Sequence, residues 1–266
     1  MRSEHLLVVD AGNTRVKLGL FDAHAGLPRT LPVCRQTAAV HTGAALPWTE
    51  FTSPVTRGIV TGSNPHEVER VAREWPHNWP PPEQLLDRSL LPIVIDVDFP
   101  ERVGIDRLLH AVAANIVREP DQPAVIISSG TATTVDYVDA QGRFSGGAIL
   151  PGFELCAKAL HEYTALLPLI EMSTILSDDT APAELGRNTE AAISSGLYWG
   201  HVGAVKELMR RLMHVGDAHH HPLLLLTGGA APLLHPHLPT IVRYEPHLAL
   251  QGLALVAATS SESVPR

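Results

Sequence analysis

Asp10 closes the apolar run LeuLeuValValAsp and is followed by AlaGlyAsnThrArgValLys, so a carboxylate stands directly before a turn of small residues. Such a turn lets backbone N–H groups approach a phosphate, with Asn13 and Thr14 as further donors and Lys17 as a point charge for a polyphosphate tail. The same residues suit an ordinary hairpin with glycine at positive φ, and this segment alone does not choose between the two. GlyThrAlaThrThrValAsp, residues 130 to 136, offers a second glycine and hydroxyl turn able to grip the same nucleotide. A third loop, ThrGlyGlyAlaAla at 227 to 231, follows the apolar run LeuLeuLeuLeu and suits close backbone approach to a nucleoside. GlyIleAspArg, residues 104 to 107, falls at an expected helix N-terminus, where free N–H groups favour an anion. There Asp106 could accept a hydroxyl proton and Arg107 could pair with a carboxylate or phosphate. The plainer alternative is that Asp106 caps the helix and Arg107 is solvated.

Other features argue against rival chemistries. The chain contains neither GxGxxG nor GxxxxGK[ST], which leaves dinucleotide-fold and P-loop machinery unsupported. His214, the run His219 to His221, His235 and His237 lack HExxH or comparable spacing and read as solvated loop residues, as do most other histidines. Asp178 and Asp179 read as a polar connection, and Trp75 and Trp79 as a cover for the first lobe's core. Cys34 and Cys156 are far apart and outside any CxxC pattern, which fits two reduced structural thiols.

The elements that must position these loops follow from periodicity. Strands are expected at His5 to Asp10, Arg15 to Asp22, 55 to 60 and 92 to 97, and helices at Pro65 to Trp75 and Ile105 to Arg118. Gly26 to Thr52 lacks clear periodicity. A second series follows, with strands at 124 to 129, 133 to 138 and 143 to 150 and helices at Gly152 to Tyr163 and Thr189 to His214. Strands at Leu223 to Thr227 and Thr240 to Tyr244 precede a final helix at Pro246 to Ala258. ValValAspAlaGlyAsnThr at 8 to 14 and IleIleSerSerGlyThrAla at 126 to 132 repeat one pattern of strand, glycine turn and hairpin. The duplication implies two homologous α/β lobes.

With 266 residues, 45% hydrophobic and 18% charged, the chain can bury a large core. Twenty-eight acidic against 20 basic side chains give a formal charge of -8, the wrong sign for a general hold on nucleic acid or an anionic bilayer. MRSEHLLVVD is too short an apolar run for a secretory core and no stretch is long enough to span a bilayer, so a cytoplasmic protein is expected.

Taken in order, AspAlaGlyAsnThrArgValLys, GlyIleAspArg, GlyThrAlaThrThrValAsp, GlyGlyAlaIleLeuProGly with AlaLeuHisGluTyrThrAlaLeuLeuPro, GlyArgAsnThr and ThrGlyGlyAlaAla resemble the type III pantothenate kinases. The likeness runs from about residue 6 to residue 256. It implies the ribonuclease H-like fold of the acetate and sugar kinase, Hsp70 and actin superfamily, two lobes with a cleft between them. It also implies ATP-dependent phosphorylation of pantothenate to 4'-phosphopantothenate, the first step of coenzyme A synthesis, by a homodimer. The implied lobes are residues 1 to 118 and 119 to 245, with 246 to 266 a terminal helix and tail packing back on the first.

By the same resemblance, Asp10, Ala11, Gly12, Asn13, Thr14, Arg15, Val16 and Lys17 form the first phosphate loop, with Asp10 serving Mg²⁺ through water. Thr131 contacts ATP, Asp106 is the general base, and Gly104, Ile105, Arg107 and Thr189 contact pantothenate. Two positions depart from the family pattern. Ser128 stands where a carboxylate usually binds a monovalent cation, K⁺ or NH₄⁺, and Val97 stands where a tyrosine usually lines the pantothenate pocket, with Phe99 the nearest aromatic. Two rival readings remain: an accessory regulatory protein on the same fold, and a kinase for another small hydroxyl acceptor.

Overall fold

The computed structural model describes residues 5–22, 29–171, 181–216 and 220–262. Asp178, Asp179, His219 and the first part of the 26 to 52 stretch lie outside the described residues. The chain divides into two compact units, one of Met1–Pro120, Gln141–Phe144 and His247–Arg266, the other of Asp121–Ala140 and Ser145–Pro246.

In the first unit, β1 (His5–Ala11) and β2 (Arg15–Asp22) form the expected hairpin, extended by β3 (Cys34–His41) on one side and by β4 (Arg57–Thr61) and β5 (Glu83–Gln84) on the other. The sheet order is β3-β2-β1-β4-β5. Side chains alternate between sheet faces. Leu7, Val9, Ala11, Val16, Leu18 and Leu20 therefore share a core with Val68 and Val71 of α1 (Pro65–Arg73). The opposite parity carries Asp10 and Lys17, which face each other across the hairpin register. Gly19 shares that parity, and a β-carbon there would meet Leu250 of α6 (Leu248–Glu262), the helix packed on α2 (Ile105–Val117). Trp48, Trp75 and Trp79 meet edge to face, with centroids 5.3 to 5.9 Å apart, over the α1-side core.

The second unit repeats this plan. Strands β6 (Ala124–Ser129), β7 (Ala132–Val138), β8 (Phe144–Pro151), β9 (Leu223–Thr227) and β10 (Arg243–Tyr244) stand in the order β10-β9-β6-β7-β8, the first order reversed only in direction of reading. Val125, Ile127, Val135, Leu224 and Leu226 pack under α3 (Phe153–Glu162), α4 (Thr189–Leu212) and α5 (Ala231–Leu234). The duplication reaches single backbone contacts. Asn64 N–H donates to Ala11 O at 3.1 Å in the first unit, and Ala230 N–H donates to Ser129 O at 3.0 Å in the second. Between each pair lies a glycine, Gly62 or Gly228, whose β-carbon would collide with the backbone of Ala11 or Ser129 respectively.

Three expectations need correction. Residues 92 to 97 form no strand, only a single bridge from Ile95 to Phe144, because Pro92 lacks a donor and solvent-facing positions alternate through the segment. The strand expected at Thr240 to Tyr244 shortens to Arg243–Tyr244. Within 26 to 52 there is an unexpected strand, β3.

Candidate active site

Asp10, next to last in β1, is a buried carboxylate, 5% exposed. Burial pushes its carboxyl up to about 6, Lys17 opposes the rise, and the charge of Asp106 adds to it. Asp10 and Lys17 thus face each other on the side of the first sheet that α6 covers, within reach of the charge of Asp106. Behind Asp10 the turn closes by Gly12 N–H donating to Arg15 O at 3.0 Å. That amide is spent on the hairpin, so the loop's donors to an anion must come from Asn13 onward. The side chains of Ala11 and Val16, both in the phosphate-loop motif, belong wholly to the core, while Asn13 and Arg15 are exposed. Thr42, just after β3, braces the turn: its N–H donates to Thr14 O and its hydroxyl reaches Gly12 O and Asn13 O at 3.3 and 3.2 Å. No motif marks Thr42 in the sequence.

Gly104 is the N-cap of α2 and no side chain caps the helix. Asp106 therefore does not serve as the cap, which removes the plainer reading of GlyIleAspArg. Its Oδ1 lies 2.6 Å from where a β-carbon on residue 104 would stand, so glycine makes room for the carboxylate. Ile105 is buried beneath the helix start. Arg107 lies with its guanidinium carbon 5.2 Å from the Phe144 ring centroid, a stacked rather than merely solvated arginine. Val97 is half-buried, and Phe99 is 56% exposed with Arg102 over its ring.

His110 was not singled out by its sequence. It sits on α2 and is 4% exposed, and burial drives its imidazole down to about 4, with Asp106 opposing and Lys17 and Arg107 adding to the fall. Its Nδ1 is buried and, among the described residues, has no hydrogen-bond partner. Leaving such an atom unpaired costs about 1–3 kcal/mol.

In the second unit the glycine turn is closed by Gly130 N–H donating to Ala132 O, and Thr131 accepts from Gly152 N–H, each at 3.0 Å. Thr131 itself is exposed. Ser129, Thr133 and His201 form a buried chain, Oγ to Oγ1 at 3.2 Å and Oγ1 to Nε2 at 3.0 Å, with Phe153 against the His201 ring. The three turns at 129 to 133, 151 to 153 and 227 to 231 thus converge on one end of this sheet. Ser128 has the opposite parity, across from Thr134, whose hydroxyl donates to buried Asp136. Thr189 is exposed at the first position of α4, behind the Asn188 cap that accepts from Ala191 N–H. Several histidines are not solvated loop residues: His201 and His110 are buried, and His237 bonds to Tyr198 at 2.8 Å. Among the described residues no group of three or more His, Cys, Asp or Glu is placed to hold a metal, and no helix is long and apolar enough to cross a membrane.

The duplicated sheet order and glycine turns define a protein of two α/β units built on one repeated plan. Solved structures of that architecture include a conserved Campylobacter jejuni protein titled as a Baf family transcriptional activator, with TM-score 0.58 and 18% identity, covering 96% of this chain and 99% of that one. Another is the activator of 2-hydroxyisocaproyl-CoA dehydratase from Clostridium difficile, with TM-score 0.52 and 13% identity over 98% of each chain. At these identities the likeness concerns the fold alone. The chain belongs to the type III pantothenate kinase family, whose model matches residues 6–211. Relatives bearing that name include proteins of Gluconobacter oxydans, 35% identical over 95% of this chain and 92% of its own length, and of Acidiphilium cryptum, 33% identical over 98% and 97%.

Proposed function

We propose that ATP-dependent phosphorylation of pantothenate, a reaction of coenzyme A biosynthesis, is carried in this chain by the cluster of Asp10, Lys17, Asp106 and Arg107. The observation that carries the assignment is the buried Asp10 facing Lys17 across the hairpin, with a second carboxylate, Asp106, at the uncapped start of α2 in the same unit. Phosphoryl transfer needs positioning, neutralisation of phosphate charge and a base for the accepting hydroxyl. Asp106 takes the proton of the pantothenate primary hydroxyl as its oxygen bonds to the γ-phosphorus and the bond to the β,γ-bridging oxygen breaks. Arg107 orients pantothenate by its carboxylate. Lys17 and the turn from Asn13 onward hold the phosphates, with Thr131, and Thr189 touches pantothenate.

A divalent cation fits the donor chemistry at Asp10: a buried carboxylate whose charge is disfavoured by desolvation gains by facing a hydrated Mg²⁺. When bound, that ion supplies charge neutralisation at the β and γ phosphates. The monovalent cation site is a poorer fit. Ser128 brings a hydroxyl without charge, and the Ser129 hydroxyl is engaged by Thr133. We assign the chain to the cytoplasm. The homodimer expected from the family likeness belongs to the same proposal.

The test is an assay of purified protein with labelled ATP and a panel of small hydroxyl acceptors. Pantothenate turnover should exceed that of every other acceptor. Faster transfer to another acceptor, or none to any, would favour one of the rival readings.

A further inference from the structure

We propose that His110 is a positioning residue for the catalytic carboxylate, its Nδ1 holding Asp106 in the orientation that receives the pantothenate proton. The inference rests on the reading of Asp106 as general base. His110 follows Asp106 by four residues in α2, which places both on one face of the helix. The ring is 4% exposed, and its Nδ1 is buried without a partner among the described residues. The charges that act on it are those of Asp106, Lys17 and Arg107, all members of the site. Buried polar atoms in folded proteins nearly always have partners, and catalytic hydrogen bonds often tighten only when substrate binds. Leu108, Leu109, Ala111 and Val112 around it are buried apolar residues, so filling space alone would call for another apolar side chain.

A neutral imidazole carries one N–H and one lone pair. With its proton on Nδ1, His110 donates to one Asp106 oxygen and leaves the other for the hydroxyl. An imidazolium would pair with the carboxylate and lower its basicity, and burial keeps this ring neutral near neutral pH. His110 neither gains nor loses a proton in the reaction.

Asparagine places an amide nitrogen near the position of Nδ1, whereas glutamine places one near Nε2. The experiment measures kcat, KM for both substrates and melting temperature for His110→Asn, His110→Gln, His110→Leu, Asp106→Asn and the double variant His110→Leu with Asp106→Asn. His110→Leu should lower kcat by of order 10²-fold with KM for ATP nearly unchanged, the scale of loss when a reacting group is misplaced. His110→Asn should restore most of that loss and His110→Gln should not. In the Asp106→Asn background the leucine should cost nothing more. Wild-type kcat in His110→Leu beside an inactive Asp106→Asn would overturn the proposal while sparing the base assignment. Full activity in Asp106→Asn would remove that assignment and the proposal with it. Should the leucine variant not fold, two-bond ¹H–¹⁵N spectra of the wild type with pantothenate and a non-hydrolysable ATP analogue decide: the Nδ1-protonated tautomer is expected, and the Nε2-protonated one overturns it.

Discussion

At Asp10 the charge that would draw a hydrated cation is also a charge taken out of water. The carboxyl titrates at about 6 in the folded protein against an ordinary 3.8. Below the lower value it is protonated in both folded and unfolded chains. Above the upper value it is ionised in both, and the folded state bears the full penalty. Asp10→Asn should therefore stabilise the protein above pH 6 by about 2–3 kcal/mol, a gain that fades towards pH 4, as urea denaturation near those two ends will show. The same variant should lose activity at limiting Mg²⁺ and recover part of it as Mg²⁺ rises; unchanged activity would take Asp10 away from the metal. Asp106→Asn should lower kcat by of order 10² to 10⁴ while calorimetric ATP affinity changes little. Retention of more than about a tenth of kcat would leave it no role as base. These two residues were legible because strand end, small-residue turn and helix start are local patterns. His110 and Thr42 were not: no motif sets His110 apart from histidines that read as solvated, and Thr42 acts through bonds to residues about 30 positions away in sequence.

The elements show the same division between local and distant causes. Both hairpins and α2 follow from alternation and helical periodicity. β3 escaped because it is a sheet edge with only half-buried residues on its inner parity, Cys34, Gln36, Ala38 and Val40, so no strong apolar alternation is written there. At 92 to 97 the apolar residues looked like a strand, yet a run of that kind becomes one only if a neighbour pairs with it. Helix crossing offers a sharper test. Gly252 of α6 lies so near the Leu109 carbonyl of α2 that a β-carbon would collide with it, whereas Gly200 of α4 has open space. Gly252→Ala should destabilise by about 1–3 kcal/mol and lower kcat as well, since α2 carries Asp106. Gly200→Ala should stabilise by about 0.5–1 kcal/mol through helix propensity. Thermal melts and steady-state rates of the two variants check both; equal behaviour would refute the close-crossing argument.

For the whole molecule, acid should be more damaging than the net charge suggests. His110 and His201 are held at about 4 against an ordinary 6.5, so the unfolded chain takes up protons first as pH falls through that interval. Stability should decline from about pH 6.5 towards 4. Asp10 works in the opposite sense between 3.8 and about 6, one group against two. A flat unfolding free energy across that range would contradict the burial of the two rings. Duplication was legible in the glycine turns, but the loss of charge at its second copy shapes a different expectation. Activation by K⁺ should be weak, measured against tetramethylammonium at constant ionic strength, and Ser128→Asp should make activity more dependent on K⁺ because an uncompensated carboxylate repels phosphates. Strong saturable activation of the wild type would show that neutral oxygens suffice.

The chain leaves the first unit at Pro120, returns for Gln141–Phe144, and comes back again only at His247. Helix α6 packs on α2, and Arg57 at the start of β4 bonds to the carbonyl of Ala257 within it. During synthesis, then, the phosphate-loop sheet emerges before the second unit but lacks one of its covering helices until residues 248 to 262 follow, by which point the second unit's described strands and helices are already complete. Of the two units the one begun first is finished last, and in that interval the faces of Leu6, Val8 and Phe21 are the surface a chaperone would meet.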